Sequence, residues 1–462
     1  MADHYSPERR TALVLSGTGA DGAYHAGVLR ALHETGIKID IVGGRGIGAL
    51  GAVLFAIDGA ARLWEPAGLW RGHGAAGLYR WRWPFRWLRA LVVALLAVLA
   101  VPLAVLMMVA AVYPVALGLG MLGLDSGASL AGRALAAVGA AFGPGALPTW
   151  VPRIALVVAA AGLFVLALGA WFDWWRQPVR RRPAAFALWG LLGAPVDATG
   201  AQQAALAGLW GILRGGAALK APDARDLSRR FSDLLSENLG HPGFRELLLV
   251  VHDLDSRRDQ VFGLVREPYR KALFAATTAT AARRAEAQDL AGVARDHVAD
   301  ALMGALTLPA VSPPRVIAYA PDAFWRGEAH RLSDRPASLG RVFEEAAAAG
   351  AEQLIVVSAA PGPPGPHDLR PARLDGLGQV SEQLASAETA ALGDALRHLQ
   401  HRFHGAYVIR PVHNPIRPLD LDGIYDERSD RRHSLEELME RGYEDAYRQF
   451  IEPMLGASGE RM

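Results

Sequence analysis

The 462-residue chain contains no cysteine, which excludes disulfides, thiolate metal sites and cysteine nucleophiles and fits a reducing compartment. It lacks a charge imbalance: 48 Lys and Arg against 46 Asp and Glu leave a formal net charge of +2, so no long-range field favours a nucleic acid or an acidic partner. Its start, MADHYSPERR, lacks the apolar run of a secretory signal and predicts neither cleavage nor export. No internal repeat is found. What is abundant is apolar side chain, 51% of residues, more than enough for a substantial core.

Charge is also missing locally. From Ala90 to Leu124 there is no charged residue, where a bilayer core needs only about 20 apolar residues in helix. A second uncharged stretch, Ile154 to Phe172, is long enough to cross by itself, so the pair predicts a transmembrane hairpin. Arg80, Arg82, Arg86, Arg89, Arg176, Arg180, Arg181 and Arg182 crowd the outer flanks, whereas only Arg133 and Arg153 lie between the spans; this bias puts both termini in the cytoplasm. Pro102, Pro114 and the Gly/Ala/Pro-rich connection leave room for a kink or a re-entrant piece.

Outside this insertion the pattern alternates strand and helix. TALVLS, a glycine loop, an amphipathic helix near Ala23 to Glu34 and IDIVGG make a βαβ opening. ELLLVV, RVIAYA, QLIVVS and AYVIRP read as further strands, RVFEEAAAAG as a helix closed by Gly350, and the segment from Ser434 as a helix with a capping box to Glu437. The expectation is an α/β fold with a mainly parallel sheet flanked by helices.

Gly17, Gly19 and Gly22 form G-x-G-x-x-G between strand and helix, with Asp40 near the spacing of a ribose ligand. A dinucleotide site is one reading, although the acid belongs at the end of the second strand and Asp40 opens it. Close strand–helix packing is another.

A third reading joins LVLSGTGADGAYHAGVLRAL to IDIVGGRGIGALGAVLFA. Together they resemble the patatin-like phospholipase family, whose pattern is an oxyanion loop G-G-G-x-R-G, a nucleophile elbow G-x-S-x-G and a dyad aspartate in D-G-G or D-G-A. The resemblance covers roughly residues 10 to 60 and 240 to 360. It implies an α/β fold, acyl-ester hydrolysis of lipids by a Ser-Asp dyad, and no cofactor. By resemblance, Gly17, Thr18, Gly19 and Gly22 fall on the oxyanion loop; Gly44, Arg45, Gly46, Ile47 and Gly48 fall on the elbow. Gly46 occupies the serine position, and Asp334 in SDRPASLG lands at the dyad position, followed by Arg335 and Pro336 in place of glycines.

Glycine offers no atom to attack with, and loss of the catalytic serine of a serine hydrolase costs on the order of 10⁶-fold in rate. Asp21 stands where the family carries an oxyanion-loop arginine, putting an anion beside amides that would receive developing negative charge. Two like charges at about 4 Å and an effective dielectric near 20 repel by about 4 kcal/mol. Arg45 suggests an ion pair with Asp21 across the old site; a solvated loop charge or a helix cap are the alternatives for Asp21. Ser16, Thr18 and His25 lie near but not on the elbow. Asp375 and Asp422 precede glycine but come too late in the family order. His398, His401 and His404 share a helix face without a completing carboxylate, so no metal site is expected.

The domain reading is 1–78 for the N-terminal half of the patatin-like domain, 79–183 for the membrane insertion, 184–240 for a helical and interfacial or core-packed linker, 241–415 for the C-terminal half and 416–462 for a helical tail. The expected function is a membrane-anchored, catalytically degenerate protein that binds membrane lipids or regulates, with a protein partner left open and no nucleic acid. The alternatives are an active lipid acyl hydrolase with an unusual nucleophile, and a dinucleotide-binding protein. A serine returned to position 46 is expected to gain reactivity.

Overall fold

The computed structural model describes residues 5–71, 75, 77–143, 145, 147–176, 193–274, 280–366, 376–426 and 428–459. The chain divides into two compact units, Met1–Arg80 with Val196–Met462, and Trp81–Pro195.

The larger unit is built on a nine-stranded mixed sheet. Its strands are β1 (Thr11–Gly17), β2 (Ile41–Gly46), β3 (Glu246–Asp253), β4 (Arg258–Leu264), β5 (Ala287–Asp289), β6 (Arg315–Ala318), β7 (Ala329–Ser333), β8 (Gln353–Ser358) and β9 (Gly405–Ile409). The main path runs β9-β8-β1-β2-β3-β4-β5, parallel from β9 to β3 and antiparallel between β3 and β4. RVIAYA therefore departs from expectation: β6 is not in the parallel path but pairs antiparallel with β7, whose end pairs antiparallel with β3. Only the central strands, buried on both faces, need a continuous apolar run. The short β5 and β7, with polar residues among few apolar ones, carry no such signal.

The helices used below are α1 (Asp21–Glu34), α2 (Gly48–Ala56), α3 (Thr199–Leu213), α4 (Ala224–Asn238), α5 (Val298–Ala305), α6 (Leu339–Ala348), α7 (Gly376–Leu399) and α8 (Leu435–Ala446). Alternation along the strands divides the core. Leu13 and Leu15 of β1 and Val357 of β8 face one layer with residues from α1, α2, α3, α4, α5 and α8. Ala12, Val14 and Val356 face the other with α6 and the C-terminal part of α7. α3 buries Ala201, Ala205, Leu209 and Trp210, so core packing accounts for its apolar face. The Ser434 hydroxyl caps α8 by accepting from the Glu437 amide at 3.2 Å, while the Glu437 carboxylate turns to His433 Nδ1 at 2.9 Å.

In the smaller unit the helices are Trp83–Met121, which continues through Pro102 and Pro114, Asp125–Ala141, and Leu147–Arg176. Two stretches, Trp83–Met121 and Trp150–Phe172, are long and apolar enough to cross a membrane. They approach closely where glycine faces the neighbouring helix: a Cβ at Gly169 would lie 2.6 Å from Pro84, and one at Gly162 would lie 3.5 Å from Leu88. Arg180, Arg181 and Arg182 lie outside the described residues.

Candidate active site

The C-terminal ends of β1 and β2 set the site. Parallel pairing puts Ser16 beside Arg45 and Gly17 beside Gly46, and each strand then turns into a helix, α1 or α2. Gly17, Thr18, Gly19 and Gly22 thus line one turn, and Gly44, Arg45, Gly46 and Gly48 the other. Thr18, Asp21, His25, Arg45 and Asp334 are all buried.

Gly46 has φ +56°, the left-handed conformation that side chains rarely adopt. A Cβ there would overlap the Gly17 carbonyl oxygen and come within 2.9 Å of Asp334 Oδ2. The same Gly17 carbonyl accepts from the Ile47 amide at 2.9 Å. In hydrolases with this kind of elbow, the amide after the nucleophile is an oxyanion donor; here a protein carbonyl holds it. Neighbouring loop amides are also engaged: Thr18 N–H donates to Asp21 Oδ2 and Ala20 N–H to the Pro418 carbonyl, each at 2.8 Å.

Arg45 reaches across the site. Its Nε donates to Asp334 Oδ1 at 3.0 Å and its Nη2 to Asp334 Oδ2 at 2.7 Å. From α7, Glu388 accepts from Nη2 at 2.7 Å and, more closely, from Nη1. The arginine is fully buried, with 0% exposure, and burial opposes its charge, but the two carboxylates hold its pKa above the ordinary guanidinium value. The Thr18 hydroxyl completes the cluster at 3.1 Å from Asp334 Oδ2 and 2.8 Å from Glu388 Oε1.

The expected Asp21–Arg45 pair is therefore corrected. Arg45 is saturated by Asp334 and Glu388, and Asp21 serves the turn ahead of α1 through the Thr18 amide, close to the capping alternative. Burial, then the Glu388 charge, pushes the Asp21 carboxyl up to about 8. Burial likewise raises Asp334 and depresses His25 to about 4. His25 Nε2 lies 3.1 Å from the Ser16 carbonyl, which fixes it as the donor nitrogen, and Nδ1 has no partner; neither nitrogen faces a nucleophile.

The dinucleotide reading fails on position. Asp40 Oδ2 accepts from the Thr11 amide at 2.9 Å, at the start of β1. The glycine loop follows the other end of this seven-residue strand, roughly 20 Å away at the rise of a β-strand. Asp422, His398, His401 and His404 are exposed, and Asp375 lies outside the described residues. Among the described residues no group of three or more His, Asp or Glu is arranged to hold a metal.

Glu388 is the residue that sequence reasoning missed. A signal existed: Ser381, Leu384, Glu388, Leu392, Ala395 and Leu399 recur every three to four positions on the buried stripe of α7, and an acid within such a stripe requires a buried partner.

The profile of the family described as patatin-like phospholipase matches residues 13–97. Patatin-like phospholipase domain-containing protein ZK370.4 of Caenorhabditis elegans is 64% identical over 44 residues, 10% of this chain and 3% of that protein. Lysophospholipase nte1 of Emericella nidulans is 54% identical over 50 residues, 11% of this chain and 3% of that protein. Patatin-like phospholipase domain-containing protein 6 of Homo sapiens is 50% identical over 50 residues, 11% and 4% respectively. The chain thus spans only about 3–4% of the length of these relatives. The solved structure of VipD from Legionella pneumophila aligns over 98% of this chain and 67% of that one at 15% identity and a TM-score of 0.31, too distant a likeness to carry an argument. The glycine loop and the elbow both lie inside the segment that matches the patatin-like phospholipase family.

Proposed function

We propose that this chain is a membrane-anchored patatin-like protein whose hydrolytic centre is degenerate, and that it binds lipid without cleaving it. The observation that carries this reading is at position 46: the elbow residue has no side chain, the Gly17 carbonyl takes the space beside it, and Asp334 is committed to Arg45. A dyad aspartate must accept a proton from a nucleophile, whereas here both Asp334 carboxylate oxygens already accept hydrogen bonds from Arg45. Nucleophile, base and oxyanion donor are each compromised by a different residue.

Membrane anchoring is supported by the two apolar helices and by exposed Leu103, Met107, Leu156 and Phe164 on their surfaces. Arg80, Arg82, Arg86 and Arg89 at the start of the first helix support cytoplasmic termini. At 1.5 Å per residue the 39-residue helix Trp83–Met121 is about 58 Å long, roughly twice a hydrocarbon core, so part of it projects beyond the bilayer.

A second reading rests on Thr18, whose hydroxyl lies 3.1 Å from the residue at the dyad position. In that reading Thr18 replaces the missing serine, with Asp334 or Glu388 as base. The test is turnover of fluorescent acyl esters and phospholipids by the purified full chain in vesicles. The degenerate reading expects release at the background rate; enzyme-dependent release abolished by Thr18→Val supports the second.

A further inference from the structure

We infer that a cleft on the β8–β9 side of the sheet binds a single-chain anionic amphiphile, its carboxylate or phosphate at Arg410 and Arg448 and its chain along α7; this rests on the lipid-binding reading above. The cleft encloses about 1530 Å³, beyond the roughly 300–1,000 Å³ of an ordinary small-molecule pocket. It opens beyond the carboxyl ends of β8 and β9, where open α/β sheets hold ligands. Gly46, Arg45 and Asp334 are not among its lining residues, so it lies beside the closed elbow and shares with it only Asp21 and Glu388, whose carboxylates turn toward the elbow.

One wall is a helix face. Ala385, Thr389, Gly393 and Leu396 recur at three- to four-residue spacing on α7 and all line the cleft, giving a mostly small and apolar surface. Prolines of the 361–365 loop and Pro411 face it, and Val412, 87% exposed, stands at its edge.

The charges are unevenly satisfied. Glu388 is held by Arg45, Glu382 by Arg417, Asp21 by the Thr18 amide and Asp445 by the Tyr24 hydroxyl at 3.0 Å. Arg397 pairs with Asp394. Arg410 has its backbone fixed on both sides by Gln449, at 3.1 and 2.7 Å, yet among the described residues its guanidinium has no hydrogen-bond or ion-pair partner, whereas Arg448 acts on the Asp445 carboxylate through its charge. Apolar walls ending at the unpartnered Arg410 guanidinium, with Arg448 as a second cation beside it, match a ligand with an acyl chain and one anionic end.

The test uses the full chain in phosphatidylcholine nanodiscs, with dansyl-undecanoic acid as the fluorescent probe and oleate and methyl oleate as competitors. Saturable binding is expected, with oleate competing about tenfold better than its uncharged ester. The Arg410→Glu/Arg448→Glu double variant weakens probe binding about tenfold or more. Gly393→Phe, at a position with no atom within 4 Å of an added Cβ, fills the cleft and does the same without altering charge. Equal competition by acid and ester, or native affinity in both variants at unchanged thermal midpoint, overturns the assignment, as does failure of the probe to saturate. A turning-over adduct at the elbow would instead sink the degenerate reading and leave probe binding intact.

Discussion

Arg45 binds Asp334 with two parallel hydrogen bonds, Nε to Oδ1 at 3.0 Å and Nη2 to Oδ2 at 2.7 Å, both residues buried. This pair joins the elbow to the loop after β7, and Glu388 adds α7 to the same guanidinium. Removing one member of a buried ion cluster leaves uncompensated charge and costs about 3–5 kcal/mol. Arg45→Met is therefore expected to lower stability by that amount, and Glu388→Gln in the same background to recover part of it. Thermal or denaturant unfolding measures both; a loss below about 0.5 kcal/mol, the range of neutral surface changes, would show the cluster to be unimportant.

Position 46 separates backbone geometry from chemistry. Gly46→Ala and Gly46→Ser both place a Cβ at φ +56° against the Gly17 carbonyl, so each is expected to destabilise by about 1–3 kcal/mol. The sequence by itself predicts that serine restores reactivity. The geometry predicts that it does not, because Gly17 holds the Ile47 amide and Arg45 holds Asp334. Acyl-ester hydrolysis by Gly46→Ser at a rate well above the native chain would refute this.

Stability should depend on pH through Asp21. With its carboxyl at about 8 in the folded chain against 3.8 ordinarily, the folded state keeps a proton that the unfolded state releases between those values. Stability then falls as pH rises through this window and levels off above about 8. His25, depressed to about 4, acts oppositely and only below about 6.5, where the unfolded imidazole takes up a proton that the folded one refuses. Between about pH 6.5 and 8 the Asp21 contribution is separable from it. Asp21→Asn should remove about one proton's worth of slope there, about 1.4 kcal/mol per pH unit; the raised Asp334 leaves some slope behind. An unchanged slope in a pH series of unfolding curves would show Asp21 to be ionised.

How much of this was legible follows from range. The glycine loop, the elbow and β1, β2, β3 and β8 could be read because strand periodicity and turn chemistry are local. The Arg45 clasp could not, since its partners lie 289 and 343 positions away and nothing near Arg45 distinguishes a buried partner from solvent. β6 was legible as a strand but not in direction, because an antiparallel hairpin and a parallel crossover use the same apolar run. Asp21 was legible as an anion in the wrong place, but its true partner is a backbone amide, which no residue type announces.

The absence of cysteine makes topology testable with single introduced thiols. Ser129→Cys, between the two apolar helices, should react with an impermeant maleimide in intact cells, and Ser236→Cys only after permeabilisation; both positions are exposed. The reverse pattern would invert the proposed orientation, and equal labelling of both in intact cells would exclude a spanning hairpin.

The most direct measurement of the central claim is intact mass of the full chain after exposure to a fluorophosphonate, followed by peptide mapping. The proposed degeneracy predicts an unmodified mass after prolonged incubation, because no hydroxyl stands on the elbow and Thr18 is enclosed by Asp334, Glu388 and Arg45. A stoichiometric adduct mapped to Thr18 or to any other residue, and lost together with acyl-ester turnover when that residue is replaced, would contradict it.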